Sequence, residues 1–172
     1  MLELGVLNVD VIRNMIDVWG KKGIVLLNIS PKADGIIPEE QRNVLAVIGQ
    51  WISKHKEAVY ETRAYSTYGY GEAAFEKGHF GGQSATMAYS EKDIRFATSK
   101  DKSRLYAFSL GLPAPSSPLE IRLDEERKVK RVSVVGSEVD LKWSAAGNVL
   151  TVQTPPATDM NELATVFRIE FE

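Results

Sequence analysis

Cysteine is absent from the 172 residues, and histidine occurs twice, as His55 and His79. The first absence excludes a disulfide framework, a thiolate zinc site and a cysteine nucleophile, and it leaves the redox compartment open. The second excludes a histidine-rich metal cluster. Charge of one sign is also lacking: 21 basic residues against 23 acidic leave a net −2, which argues against a nucleic-acid or anionic-membrane surface. No window approaches the ~18 uninterrupted apolar residues of a membrane span. Glu3, Asp10 and Asp17 break the apolar pattern of the first twenty residues, which carry no basic leader and do not read as a secretory signal.

What is present is ordinary globular composition, 44% hydrophobic and 26% charged, enough for one sizeable domain or a small element plus a domain. Val9, Ile12, Met15, Ile16 and Trp19 recur at helical spacing, predicting a helix over about residues 9–19 that Gly20-Lys21-Lys22-Gly23 ends. Ile24–Ile29 is short, β-branched and apolar on both faces, as a strand covered on both sides would be. Ser30-Pro31 stops it, Asp34-Gly35 makes a turn, and Pro38 opens a second helix on Glu39 and Glu40. That helix carries Val44, Leu45, Ile48, Trp51, Ile52 and His55 on one face. From about residue 85 the period becomes 2. Seven candidate strands follow, at 94–97, 105–108, 119–123, 132–134, 141–143, 149–152 and 166–171, with turn signals between them. The pattern predicts an α+β chain of three parts: helix–strand–helix over 1–60, a Tyr- and Gly-rich connector over 61–84, and an antiparallel β-sandwich over 85–172.

The phrase Asn28-Ile29-Ser30-Pro31-Lys32-Ala33-Asp34-Gly35-Ile36-Ile37-Pro38 is the most specific in the chain. With Ile24–Leu27 before it, it resembles the last strand and loop of the catalytic barrel of α-L-fucosidases, the family-29 glycoside hydrolases. Further phrases lie in the family's order: Ile48-Gly49-Gln50-Trp51, Ala58-Val59-Tyr60-Glu61-Thr62-Arg63, Tyr68-Gly69-Tyr70-Gly71-Glu72, Gly78-His79-Phe80, Asp93–Thr98 and Leu105-Tyr106-Ala107. Residues 1–8 do not match, which suggests a start inside an older reading frame. Glu61 and Tyr65 stand where a glycine and a tryptophan are usual. The resemblance implies that residues 1–60 are the remnant of a (β/α)8 barrel, followed by the family's C-terminal sandwich. It implies a retaining attack on α-L-fucosides, which takes two carboxyl groups about 5 Å apart, and no cofactor. The family's nucleophilic aspartate and sugar-gripping residues belong to earlier barrel strands. By that comparison the chain is expected to be inactive alone, meeting fucosylated glycans only through the complete enzyme, whose relatives are commonly exported.

Each candidate site residue has a functional and a structural reading. Asn28, Ser30 and Asp34 stand where such barrels do their chemistry, at the carboxyl end of a strand. They would line the pocket rim, or simply finish a strand and cap a turn. Tyr65, Tyr68 and Tyr70 would stack on a sugar, or pack the connector against its neighbours. Glu39 and Glu40 are adjacent on a helix and point apart. His55 reads as a packing residue, His79 as a structural hydrogen-bond partner, and Trp143 as core or near-core. A bare apolar strand needs cover, so the expected partner is a second copy, giving a homo-oligomer, or the missing barrel portion. The alternatives are a free-standing carbohydrate-binding sandwich and a module that completes a separately encoded barrel.

Overall fold

Leu105-Tyr106-Ala107-Phe108 is apolar on both faces, and each face has a layer to lie against. Leu105 and Ala107 join a core with Ile94, Phe96, Ile121, Leu150, Val152, Phe167 and Ile169. Tyr106 and Phe108 join a second core with Ile12, Ile16, Val44, Ile48, Trp51 and Val166. The computed structural model, which describes residues 4–71, 74–75, 87–137 and 139–172, therefore has three layers. Helices cover one face of a five-stranded sheet, and a three-stranded sheet covers the other. His79, with Gly78 and Phe80, lies outside the described residues.

The helices are α1 (Leu4–Gly20), α2 (Glu39–Lys54) and the short α3 (Lys56–Val59). The strands are β1 (Thr62–Tyr70), β2 (Ala74–Phe75), β3 (Met87–Ala88), β4 (Ile94–Ser99), β5 (Arg104–Ser109), β6 (Pro118–Arg122), β7 (Val129–Val134), β8 (Trp143–Ala146), β9 (Val149–Gln153) and β10 (Thr165–Phe171). The large sheet runs β1-β4-β5-β10-β7, the small one β6-β9-β8, and β2 pairs with β3. The large sheet's named pairings are all antiparallel, as are those of the small one. Among the described residues there is no closed barrel. Five strands and three facing each other make the antiparallel sandwich that the period-2 pattern calls for. Six of the seven strands expected there are present, and the one expected at 141–143 is displaced, with β8 running from Trp143 to Ala146.

The segment read as connector begins with a strand. Thr62, Arg63 and Ala64 pair with Ser99, Thr98 and Ala97, the register breaks, and pairing resumes at Gly69 and Tyr70 against Arg95 and Ile94. Glycine is required after the break. Gly69 and Gly71 hold φ of +141° and +143°, and a Cβ on them would overlap the Ile94 carbonyl and Asp93 respectively. That constraint accounts for the Tyr68-Gly69-Tyr70-Gly71 phrase.

Burial of Val44, Ile48 and Trp51 seats α2 on the large sheet, and Trp51 Nε1 donates to the Ala164 carbonyl at 3.3 Å. Helix α1, longer than its periodicity suggests, is fixed by charge as well as by apolar contact. Arg95 of β4 donates through Nε to Asp17 Oδ1 at 2.5 Å. Its NH1 donates to the Tyr70 and Ile94 carbonyls, each at 3.0 Å. Asp17 also takes Lys21 Nζ at 2.7 Å. On the far side, Glu57 accepts from Arg168 NH1 at 2.9 Å and from the Tyr106 hydroxyl at 3.0 Å.

Two expectations need correcting. Ile24–Ile29 forms no strand; it runs irregularly between α1 and the Asp34 turn. Ile24 and Leu26 are 93% and 87% exposed, while Val25, Leu27 and Ile29 are better covered. A strand of this type needs neighbours on both edges and cover on both faces, and the described residues supply neither. Trp143 is not core: it sits on β8, the small sheet's edge, and is 36% exposed.

Candidate functional site

The loop that leaves the apolar run is built by its own side chains. The Ser30 amide donates to Gln41 Oε1 at 2.8 Å, and Gln41 Nε2 returns a bond to the Ser30 carbonyl at 3.4 Å, tying the loop to α2. Asp34 Oδ1 accepts from the Ile36 amide at 3.0 Å. Lys32 N donates to Ile36 O and Gly35 N to Lys32 O, both at 2.9 Å. Gly35 closes the turn at a φ of +81°. Asp34 thus caps its own turn. Asn28, Ser30 and Asp34 are all exposed, and none lines the clefts of about 360 and 440 Å³ that other described residues form.

The three tyrosines do not form one exposed platform. Tyr65 is buried edge-on against Phe96, at 5.6 Å between centroids. Its hydroxyl donates to Asp124, which also accepts from Ser66. Burial first, and then the Asp124 carboxylate, push the Tyr65 phenol well above its ordinary range. Tyr70 also lies on Phe96, at 5.9 Å. Its hydroxyl donates to the Glu120 carbonyl at 3.0 Å and accepts from the Arg122 amide at 3.2 Å. Two tyrosines of β1 therefore reach β6 and the turn after it, binding the edges of the two sheets together. Tyr68 lies apart, nearly half exposed, with Arg95 and Lys21 each 5.4 Å from its ring centre. The missed signal was the pairing of these hydroxyls with residues fifty or more positions away, which spacing along the chain does not carry.

Two clefts are formed by the described residues. One, of about 440 Å³, is lined by Tyr70, Ile94, Leu119 and the charged Glu91, Lys92, Glu120 and Arg122. Glu91 and Glu120 are both exposed, and Glu120 lies 3.6 Å from Arg122. The other, about 360 Å³, separates the helices from β1 and β4 and has no carboxylate among its described lining residues. Among the described residues, no three of His, Asp and Glu gather as metal ligands would. Glu39 and Glu40 sit side by side at the start of α2.

Residues 7–57 match the family model for α-L-fucosidase, and residues 88–170 match the one for the α-L-fucosidase C-terminal domain. Between them these segments take in more than three quarters of the chain. The chain belongs to the α-L-fucosidase family. It corresponds to that family's carboxy-terminal part, with the sandwich as the C-terminal domain. The tissue α-L-fucosidases of Bos taurus and Homo sapiens are 28% and 26% identical to it over 165 residues. Those matches take in 92% and 93% of this chain, but 30% and 31% of the relatives. The α-fucosidase structure from Thermotoga maritima has the same fold over 94% of this chain and 34% of its own, with a TM-score of 0.69 at 24% identity. The Bacteroides thetaiotaomicron GH29 α-L-fucosidase trapped as a covalent intermediate gives 0.71 at 17%, over 96% and 32%. This fucosidase chain thus spans about a third of the length of the proteins it matches.

His55 is a packing residue of the helical layer. It is buried, stacked on Trp51 at 4.4 Å, and its Nδ1–H donates to the Trp51 carbonyl at 2.8 Å. Burial, only partly offset by that hydrogen bond, pulls its pKa down to about 4. The unfolded chain, with an ordinary histidine near 6.5, binds the extra proton first as pH falls, so stability is lost between about 6.5 and 4. Over that window the native protein should lose up to about 3 kcal/mol more than His55→Phe, which has no titrating ring. Urea unfolding at a series of pH values measures the difference; parallel profiles would contradict it.

Proposed function

We propose that these 172 residues are the bracing portion of an α-L-fucosidase and do not hydrolyse fucosides by themselves. The observation that carries this reading is the bare Ile24–Ile29 run, an apolar segment shaped for the inside of a sheet and followed by a pre-formed loop. Barrel strands pairing along it would place Asn28, Ser30 and Asp34 at the carboxyl end of a barrel strand, as rim residues of the sugar pocket. The two carboxyl groups that a retaining hydrolysis needs would come from that barrel portion, whether joined in one polypeptide or encoded separately. The sandwich's part is mechanical: through α1, α2 and α3 it holds the run and its loop in place.

A second reading, a sugar-binding sandwich, is favoured by the cleft between Tyr70, Glu91, Glu120 and Arg122. One preparation separates the two. The purified chain should neither turn over 4-nitrophenyl α-L-fucoside nor give saturable heat on titration with L-fucose. Turnover lost in Glu91→Gln or Glu120→Gln would overturn the bracing role. Binding lost in Glu120→Ala and Arg122→Ala would establish the second reading. Tyr70→Ala is a poor probe, because that hydroxyl also ties β1 to β6.

The same run has a consequence for the isolated chain. Each aliphatic side chain taken out of water contributes about 1.5–3 kcal/mol, so without barrel strands two copies pair through Ile24 and Leu26. Light scattering should report a dimer or larger species that Ile24→Ser with Leu26→Ser converts to monomer. A monomer at all concentrations would remove this partner.

A further inference from the structure

Among the described residues, two parts of the fold each lack a neighbour. The run Ile24–Ile29 has the composition of a strand, yet its backbone makes no hydrogen bond there, and Ile24 and Leu26 are 93% and 87% exposed. The other part is the open edge of the small sheet, whose order β6-β9-β8 leaves β8 paired on one side. Gln153 N donates to the Lys142 carbonyl at 2.8 Å. Trp143, Ser144, Ala145 and Ala146 follow in register against Val152, Thr151, Leu150 and Val149. In an alternating antiparallel ladder, residues 142, 144 and 146 therefore bond to β9, and the amides and carbonyls of Trp143 and Ala145 point away from it.

That edge suits an added strand. Natural edges are blunted by charge, proline or a bulge. Strand β8 carries no charged residue and no proline, its pairing with β9 has no register shift, and all four of its residues are exposed. Its shortness limits an addition to the four free groups of Trp143 and Ala145. Trp143 lies opposite Val152, which is fully buried in the sandwich core, so its ring is directed to the same side; it is still 36% exposed. Three strands thus face five with an indole left uncovered at the open side. The chain's own run does not reach it. Gly23 N is held by the Val18 carbonyl at 2.8 Å and Ser30 N by Gln41, which keeps both ends of the run in the helical layer, across the large sheet from β8.

We propose that β8 accepts the Ile24–Ile29 run of a second copy as a fourth strand of the small sheet. Its backbone bonds go to Trp143 and Ala145, and Ile24 and Leu26, which share one face of an extended strand, lie over the indole. That contact rests on the reading of the run as a barrel strand without its sheet, and it specifies the surface met. Contact between two different surfaces is heterologous, so a dimer forms by reciprocal exchange and larger species by head-to-tail growth. Ala145→Pro removes a donor from the free edge and leaves the bonds to β9 in place. It should be monomeric by light scattering, as should Ile24→Ser with Leu26→Ser. Mixing these two monomers should give a 1:1 heterodimer, because one keeps the run and the other keeps the edge. In the unmodified chain, exchange of the Trp143 and Ala145 amides should be about tenfold or more slower than in the serine variant, a comparison that decides the matter if Ala145→Pro does not fold. An Ala145→Pro chain that stays oligomeric while the serine variant is monomeric leaves the run as an interface but overturns β8 as its acceptor. Oligomers that persist in the serine variant, no heterodimer on mixing, or equal exchange of the two amides overturn it as well. A monomeric unmodified chain removes this contact and every other pairing through the run.

Discussion

The Asp17–Arg95 pair decides how this molecule is assembled. It joins residues 78 positions apart, one on the first helix and one on the second strand of the large sheet, and its side chains are 10% and 5% exposed. Burying two charges is unfavourable unless each is matched and its remaining hydrogen-bonding groups are satisfied. Here they are: Asp17 has Lys21 as well, and Arg95 has two backbone carbonyls. Replacing one member with an apolar residue would leave the other charge buried in the layer without its opposite across the helix–sheet boundary. Loss of one member of such a pair costs about 3–5 kcal/mol, a large part of what a domain of this size has to lose.

From that constraint the other features follow in order. With α1 fixed on β4, α2 and α3 cover the rest of the large sheet, and Glu57 secures the far side through Arg168 and Tyr106. With one face of the sheet covered by helices, its central strands have cover on both sides, which is why β4, β5 and β10 are buried almost without interruption. The small sheet closes the opposite face, held at its edge by Tyr65 and Tyr70. The helical layer and the sandwich thus share a wall, and what the helices carry is held by the sandwich. The chain of contacts is short: the loop that begins at Ser30 is tied to α2 by Gln41, and α2 is tied to the sheet by Trp51.

Much of this was legible in the sequence. Strands such as 119–123 and 166–171 are marked by period 2, so local pattern and global fold agree there. Helix α2 carried its own start signal in Pro38-Glu39-Glu40. Strand β1 was not legible, because its residues are mixed in polarity and its ladder is interrupted between Ala64 and Gly69. The ion pair was illegible for another reason: Asp17 looked like a break in an apolar stripe, and only the fold brings Arg95 to it. Ile24–Ile29 shows the reverse. Its composition states what surroundings it is suited to, but pairing requires neighbours, and composition does not say whether they are there. For the candidate site, the turn role of Asp34 was readable from Asp-Gly. The separate duties of Tyr65, Tyr68 and Tyr70 were not, since they depend on which way a bulged strand turns each ring.

If helices and sandwich are one cooperative unit, amide hydrogen exchange under native conditions tests it most directly. The account predicts that amides in the middle of α1, around Ile12 to Ile16, open with the same free energy as those of β5 and β10. Exchange of α1 and α2 at much lower free energy, with the sandwich amides still protected, would contradict it.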